Sequence, residues 1–304
     1  MQQHRIIVIA GILMMTACKK EAPIKPSNLD ENNLIVKDNP SDPVDHAIYQ
    51  FYQNTGVSLF YNDTLGRRQV GDSAGIPQYF YPRLAVTYSF AGTDNSVSFT
   101  LLKNKQQVLP MLELLKNDVL PFIPDSLSRP CILLVDSLAS NSAATGLPFP
   151  IGFNSYDGFN TIAIRTIDPD TMSADARKKF AASVLGDLGG KQLIVTQIDK
   201  IYNEFYRFSN DLAPSQSGAY SVSFSVLSPD GSQKPEDFGF ITWFQYNGGI
   251  YTPNGISDVN SYLAAVINYT PESFAAVYAG FPAVIEKFNW VRPLAKALGF
   301  QLPE

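Results

Sequence analysis

The sequence predicts one α+β domain, and three observations carry that expectation. Hydrophobic residues make up 45% of the 304-residue chain and charged residues 17%, enough apolar material for a sizeable core and too much for general disorder. Short β-type runs such as Val57-Ser58-Leu59-Phe60-Tyr61 fall in the first half, whereas runs with helical spacing crowd the C-terminal half. No compositional break, repeat or low-complexity tract interrupts the chain after about residue 43. A single domain over 44–304 is therefore expected.

Taken in order, Asp45 is a candidate cap for a helix running to Gln53, with Ile48, Phe51 and Tyr52 on one side. The strand Val57 to Tyr61 follows. Helical spacing over Val108 to Leu120 stops at Pro121. Ile132 to Val135 and Thr161 to Ile167 read as strands. Ser173 is placed to cap a helix of Ala174 to Leu188, which Gly189-Gly190 should break. Ile194, Ile198, Ile201, Phe205 and Phe208 make one stripe of a helix near 193–208. Alternation of Tyr220, Val222, Phe224 and Val226 suggests a strand. Helices are expected near Asp258 to Tyr269, Pro271 to Tyr278 and Pro282 to Leu298.

The N-terminus carries an address. His4 and Arg5 precede the apolar run Ile6 to Met15, too short to span a bilayer as a folded element. Met15-Thr16-Ala17-Cys18 resembles a bacterial lipobox, which implies removal of 1–17 as a signal peptide and acylation of Cys18. A plain signal peptide with a chance cysteine is the alternative. Residues 18–43 then read as a flexible tether. Cys18-Lys19-Lys20-Glu21 is weakly similar to the tag that sends Bacteroidetes lipoproteins to the cell surface, so a surface-facing outer-membrane lipoprotein is expected.

The net charge of −5 contains no basic stripe, which argues against nucleic acid as a partner. Losing 1–17 removes Arg5 and no acid, taking 23 basic residues to 22 against 28 acids, or −6. His46 would then be the only histidine, and Cys131 the only cysteine besides Cys18. Cys131 opens Cys-Ile-Leu-Leu-Val and reads as a buried strand thiol rather than a nucleophile.

Several motifs match in letters only. Gly71-Asp72-Ser73-Ala74-Gly75 fits the serine-hydrolase elbow, but no strand and helix flank it suitably and the histidine lies upstream. Leu185 to Lys191 (LGDLGGK) resembles a phosphate loop only at its end. Asp168 and Asp170 begin like a calcium loop, but Ser173 stands where glycine is needed. His46 beside Asp45 is better explained by a surface or packing role than by a catalytic dyad. Tyr79, Phe80 and Tyr81 could stack on sugars, bind a peptide or join the core.

Together the segments resemble the substrate-import-associated zinc metallohydrolase lipoproteins of Bacteroidetes, whose genes accompany SusC/SusD-type uptake systems. "HAIYQFYQNTGVSLFYN", "VLPMLELLKNDVLPFI", "RPCILLVDS", "FNTIAIRTID", "GIYTPNG" and "TPESF" with "IEKFNWVRPLAKALGFQL" follow in the family's order. The resemblance implies a zincin-like, metalloprotease-like fold and a His-Glu-x-x-His helix. Two histidines four apart face one way and hold zinc, and the glutamate between them activates the bound water.

On that pattern Asn203-Glu204-Phe205-Tyr206-Arg207 takes the motif's place, and Asn260 takes that of a downstream acidic ligand. Asn203 is a poor ligand, Arg207 puts a fixed cation where a dication belongs, and only Glu204 keeps the base position. A partly buried Glu204–Arg207 pair is one alternative for the glutamate. No cofactor is expected, zinc included, although an all-carboxylate calcium or magnesium site stays open. The expected function is a non-catalytic, metallopeptidase-like pseudo-enzyme of an uptake system, binding a peptide, a glycan or a partner such as a SusC/SusD-like protein. A hydrolase retaining Glu204 and a purely structural subunit are the alternatives.

Overall fold

The structure, a computed structural model, describes residues 32–87, 97–127, 131–213 and 218–304. Cys18, the segment 1–17 and most of the expected tether lie outside the described residues. The packed domain begins at Leu34 rather than residue 44. Leu34 packs on the cluster around Leu84, Val86 and Leu133, Val36 on the main core, and the Ser58 hydroxyl donates to the Leu34 carbonyl.

Helix α1 (Pro43–Thr55) is capped by Asp42 rather than Asp45. The Asp42 carboxylate accepts from the Val44 and Asp45 N–H groups, and Pro43 occupies the first turn. Asp45 instead accepts from the Tyr61 hydroxyl at 2.9 Å, which ties α1 to the end of β1 (Ser58–Phe60). Next come a hairpin of β2 (Arg68–Ser73) and β3 (Ile76–Phe80), then β4 (Val97–Leu101). Helix α2 (Val108–Leu114) widens into a π-type turn over Leu115–Val119 and ends in a 3-10 turn, Leu120–Phe122, that includes Pro121. The expected helix to Leu120 is thus only partly α.

Four further strands follow: β5 (Cys131–Ser140), β6 (Ile151–Gly152), β7 (Ser155–Asp157) and β8 (Ile162–Arg165). β1, β5 and β8 run parallel, and β7 lies antiparallel on β8 at one edge. β4 and β6 pair antiparallel with the later part of β5. Alternation along β5 sends Ile132 and Leu134 into the helical core and Cys131, Leu133 and Val135 into a second cluster on the opposite face. A strand covered on both faces reads as a continuous apolar run.

Helix α3 (Ala174–Thr196) starts at its predicted cap, where Ser173 accepts from the Ala176 N–H, and passes straight through Gly189-Gly190. The glycines are contact points, not breaks. A Cβ on Gly186 would lie 2.6 Å from the Asn260 carbonyl, one on Gly189 2.6 Å from the Phe300 ring, and one on Gly190 1.8 Å from Asn260 Oδ1. Close packing on α4 (Gly255–Asn268) offsets the roughly 1 kcal/mol helix cost of each glycine.

The helix expected near 193–208 is broken. Gln197 leaves helical geometry at φ −127°, a short turn covers Ile198–Lys200, a π-type turn covers Ile201–Phe205, and α-helix resumes over Tyr206–Asn210. Ile201 and Phe205 are fully buried, but Ile198 is 53% exposed and Phe208 only half-buried. The expected strand at 220–226 is absent. Phe224–Leu227 forms a helical turn, while Val222 and Ser223 meet the segment of Tyr251 and Thr252 by isolated bonds. A small hairpin, β9 (Phe244–Tyr246) and β10 (Gly249–Tyr251), precedes α4. Helices α5 (Pro271–Val277) and α6 (Pro282–Ala297) finish the chain close to their predicted bounds. The result is a mixed α and β domain, and no described helix is long and apolar enough to cross a membrane.

Candidate functional site

The structure does not bring the four predicted site residues together. Asn203, Glu204 and Arg207 are exposed on the turn after α3. The Trp290 indole donates to Glu204 Oε2 at 3.0 Å, and Arg207 pairs with Asp211 at 3.0 Å. The alternative of a partly buried Glu204–Arg207 pair is not seen, and each side chain makes an exposed contact with another residue. Asn260 sits on α4, where its Nδ2 donates to Asp187 Oδ1 at 3.1 Å.

The other motifs take structural places. His46 is half-buried, with Nδ1 2.7 Å from Asp38 and Nε2 2.9 Å from Gln50. Gly71 to Gly75 is the end of the β2–β3 hairpin, with Ala74 and Gly75 at φ 54° and 82°, the paired left-handed geometry of a tight hairpin turn. Asp168 caps a 3-10 turn. The Cys131 thiol is buried and donates to the Asn160 carbonyl, and burial pushes its pKa up. Tyr79, Phe80 and Tyr81 are exposed rather than core.

A cleft of about 400 Å³ opens where edge strand β7 meets α3 and α4, lined by Tyr156, Ser183, Asp187, Lys191, Ser257 and Asn260 among others. Asp187 lines it and gathers several of its hydrogen bonds. Oδ2 accepts from the backbone N–H of Asn154 at 2.9 Å and of Ser155 at 3.2 Å, and Oδ1 from Asn260. Arg165 donates twice to Asn154 Oδ1, at 3.2 and 2.7 Å, and so fixes the residue before β7. Burial pushes the Asp187 pKa up to about 6, against the pull of the Asn154 and Ser155 amides, the Asn260 side chain and the Arg165 charge. Lys191 reaches over the Tyr156 ring, 5.0 Å from its centre, and donates to the Asp157 carbonyl at 3.3 Å.

Asp187 belongs to the LGDLGGK stretch that failed as a phosphate loop. The available signal was different: an acid in the middle of a helix whose neighbours Leu185, Gly186 and Leu188 are all buried. A helix apolar on most sides is a buried one, and an acid within it needs partners. Among the described residues no group of three or more His, Cys, Asp and Glu is arranged to hold a metal ion. What the cleft offers is a fixed carboxyl, an ammonium group, hydroxyl and amide groups, and the Tyr156, Phe153 and Phe244 rings. No protein-family model, curated protein or solved structure matches the chain.

Proposed function

We propose that this is a zincin-like pseudo-enzyme whose old cleft binds a short polar ligand, a peptide or a glycan, without cleaving it. The observation that carries the reading is the meeting of α3 and α4. If Asn260 stands in the place of a downstream acidic ligand, the helix that faces it is α3, and it presents Gly186-Asp187-Leu188-Gly189-Gly190. That run has the spacing of His-Glu-x-x-His, with glycine at both histidine positions and an acid at the base position. The better candidate for the motif is thus 186–190 rather than 203–207.

The residues present do not fit zinc. Two of the three positions carry no side chain, and Asn260 fills the space above Gly190, its Oδ1 buried and without a hydrogen-bond partner among the described residues. The hydrolase alternative would rest on Asp187 rather than Glu204, because a raised carboxyl pKa in a cleft marks a possible base. Three donors on Asp187 argue against that role, since they hold its oxygens on β7 and α4. Ring faces beside hydroxyl and amide groups suit sugar or peptide recognition.

The reading keeps a lipid anchor on Cys18 in the outer membrane and a SusC/SusD-type uptake complex as the setting. Saturation-transfer NMR with pools of neutral oligosaccharides and short peptides tests the cleft. A ligand whose signal falls with Tyr156→Ala and persists with Glu204→Gln supports it. Binding indifferent to Tyr156, or cleavage of the ligand, overturns it. Co-purification with SusC/SusD-like proteins while no pool member binds would favour the purely structural subunit.

A further inference from the structure

Among the described residues the β2–β3 hairpin is the one two-stranded sheet whose two strands are exposed almost throughout. Val70 is 58% exposed, Ile76 69%, Phe80 50% and Tyr81 47%. Register places Ile76 and Phe80 on one face, opposite Ser73 and Arg68, and Val70 at a bulge between Gln69 and Gly71. An isolated two-stranded ribbon is marginal in water, and large apolar side chains held in solvent on such an arm mark a contact surface.

Charge and position narrow what that surface meets. Arg67 and Arg68 stand together at the hairpin's base, stacked over Tyr79 at 4.6 Å and Phe80 at 5.4 Å, and Asp72 is the only acid from 67 to 81 in a chain of net −5. The base is tied by Leu65 N–H to the Pro82 carbonyl and by Leu84 N–H to the Asp63 carbonyl. Leu65 and Leu84 belong to the same cluster as Leu34, where the packed domain begins. The hairpin therefore rises beside the point at which the N-terminal chain joins the domain. Leu34 lies sixteen positions after Cys18, and even fully extended that stretch spans no more than about 55 Å.

We propose that this hairpin docks on an anionic bilayer surface, with Ile76, Phe80 and Val70 in the interface and Arg67 and Arg68 on lipid phosphates. The inference rests on the lipoprotein reading of Cys18 for its geometry. Aromatic rings and arginines with apolar neighbours suit the headgroup layer, and a second contact beside an acyl anchor would fix the domain's orientation on the membrane.

The test uses the mature protein with Ile76→Cys carrying an environment-sensitive fluorophore, Cys131 being fully buried. Protein-free vesicles of phosphatidylglycerol and phosphatidylethanolamine contain doxyl-labelled acyl chains. The label at residue 76 should blue-shift and be quenched, while the same label at Val277→Cys, on exposed α5, should not. Arg67→Gln with Arg68→Gln should weaken partitioning roughly thirtyfold at low salt, from about a fivefold loss per arginine. An unquenched label at 76, or equal quenching at 277, overturns the proposal. So does a blue shift in cell envelopes that protein-free vesicles fail to produce, which would name a protein partner. Mass spectrometry of the same sample, which reads acylation at Cys18 and confirms that the fluorophore sits at residue 76 alone, separates the two readings. Quenching at 76 without acylation removes the anchor and keeps the hairpin contact, and acylation without quenching does the reverse.

Discussion

Lys287 of α6 donates to Asp258 of α4 with both side chains completely buried. The ammonium group's other donors go to Ser209 Oγ at 3.1 Å and the Gly239 carbonyl at 3.0 Å, and the Tyr220 hydroxyl donates to the same carboxylate at 2.8 Å. Rings surround it, with Phe205 at 4.4 Å, Tyr262 at 4.8 Å and Phe240 at 5.2 Å. Burial pulls the lysine below its usual pKa and pushes the aspartate above its own, each opposed by its partner. One cation thereby ties the segment after α3, the loop at Gly239 and helices α4 and α6.

Removing one member of that pair should cost far more than removing both. Lys287→Met leaves the Asp258 charge buried and is expected to lose about 3–5 kcal/mol, whereas Lys287→Met with Asp258→Leu should recover most of it. Urea unfolding of the three proteins measures the difference. Equal losses for the single and double variants would mean that the stranded Asp258 charge is not what makes the loss of Lys287 costly.

The contact of α3 with α4 makes a second prediction. Gly190→Ala puts a methyl against Asn260 Oδ1, a side-chain end that can move, whereas Gly186→Ala meets the Asn260 carbonyl and the Ala264 backbone N–H at 3.0 Å. Overpacking costs typically about 1–3 kcal/mol. Gly186→Ala should sit at the upper end, and Asn260→Ser should rescue Gly190→Ala but not Gly186→Ala. Thermal unfolding reads this, and rescue of both by Asn260→Ser would place the clash wrongly.

Where sequence pattern and packing agreed, the fold was legible. The strands at Ile132 and Ile162 and the three C-terminal helices follow from period and caps. Legibility failed where tertiary contact overrode local preference. Gly189-Gly190 look like a stop, yet they are small residues that let α4 approach. Tyr220 to Val226 alternate, yet Phe224 and Leu227 pack in a separate cluster with Phe238 and Phe240. The candidate cleft was hard to read from the sequence for a related reason. Glu204 carried the right letter on an exposed turn, whereas Asp187, whose carboxyl joins β7 to α4, was hidden in an apparent turn motif.

Stability should carry the signature of Asp187. Its folded pKa of about 6 lies above the ordinary aspartate value of 3.8, so the folded state holds a proton that the unfolded chain has released between those values. That contribution is fully present below about pH 4 and is lost as pH rises to about 6, a cost of about 3 kcal/mol. The stability difference between the wild type and Asp187→Asn should therefore shift in favour of the variant over pH 4–6 and then level. A difference flat across that window would show that the carboxyl is already ionised in the fold.

The last prediction is that the purified protein carries no stoichiometric zinc. It rests on residue types, not on the contents of the structure. If 1–17 is a signal peptide, as the lipoprotein reading expects, His46 is the only histidine of the mature chain, and on α1 it is engaged with Gln50 and with Asp38 ahead of the helix. Structural zinc draws on about 10–16 kcal/mol shared among its ligands, so each missing ligand lowers affinity steeply. Asn203→His with Arg207→His should create at most a weak two-ligand surface site, because Asn260 is held on Asp187 and brings no third ligand to that turn. Glu204→Ala should change stability by no more than about 0.5 kcal/mol, as expected of an exposed side chain. Elemental analysis with a peptidase assay decides the matter. One tightly held zinc per chain, lost on chelation together with activity, would show that this chain assembles a metal centre from other residues and that the pseudo-enzyme reading is wrong.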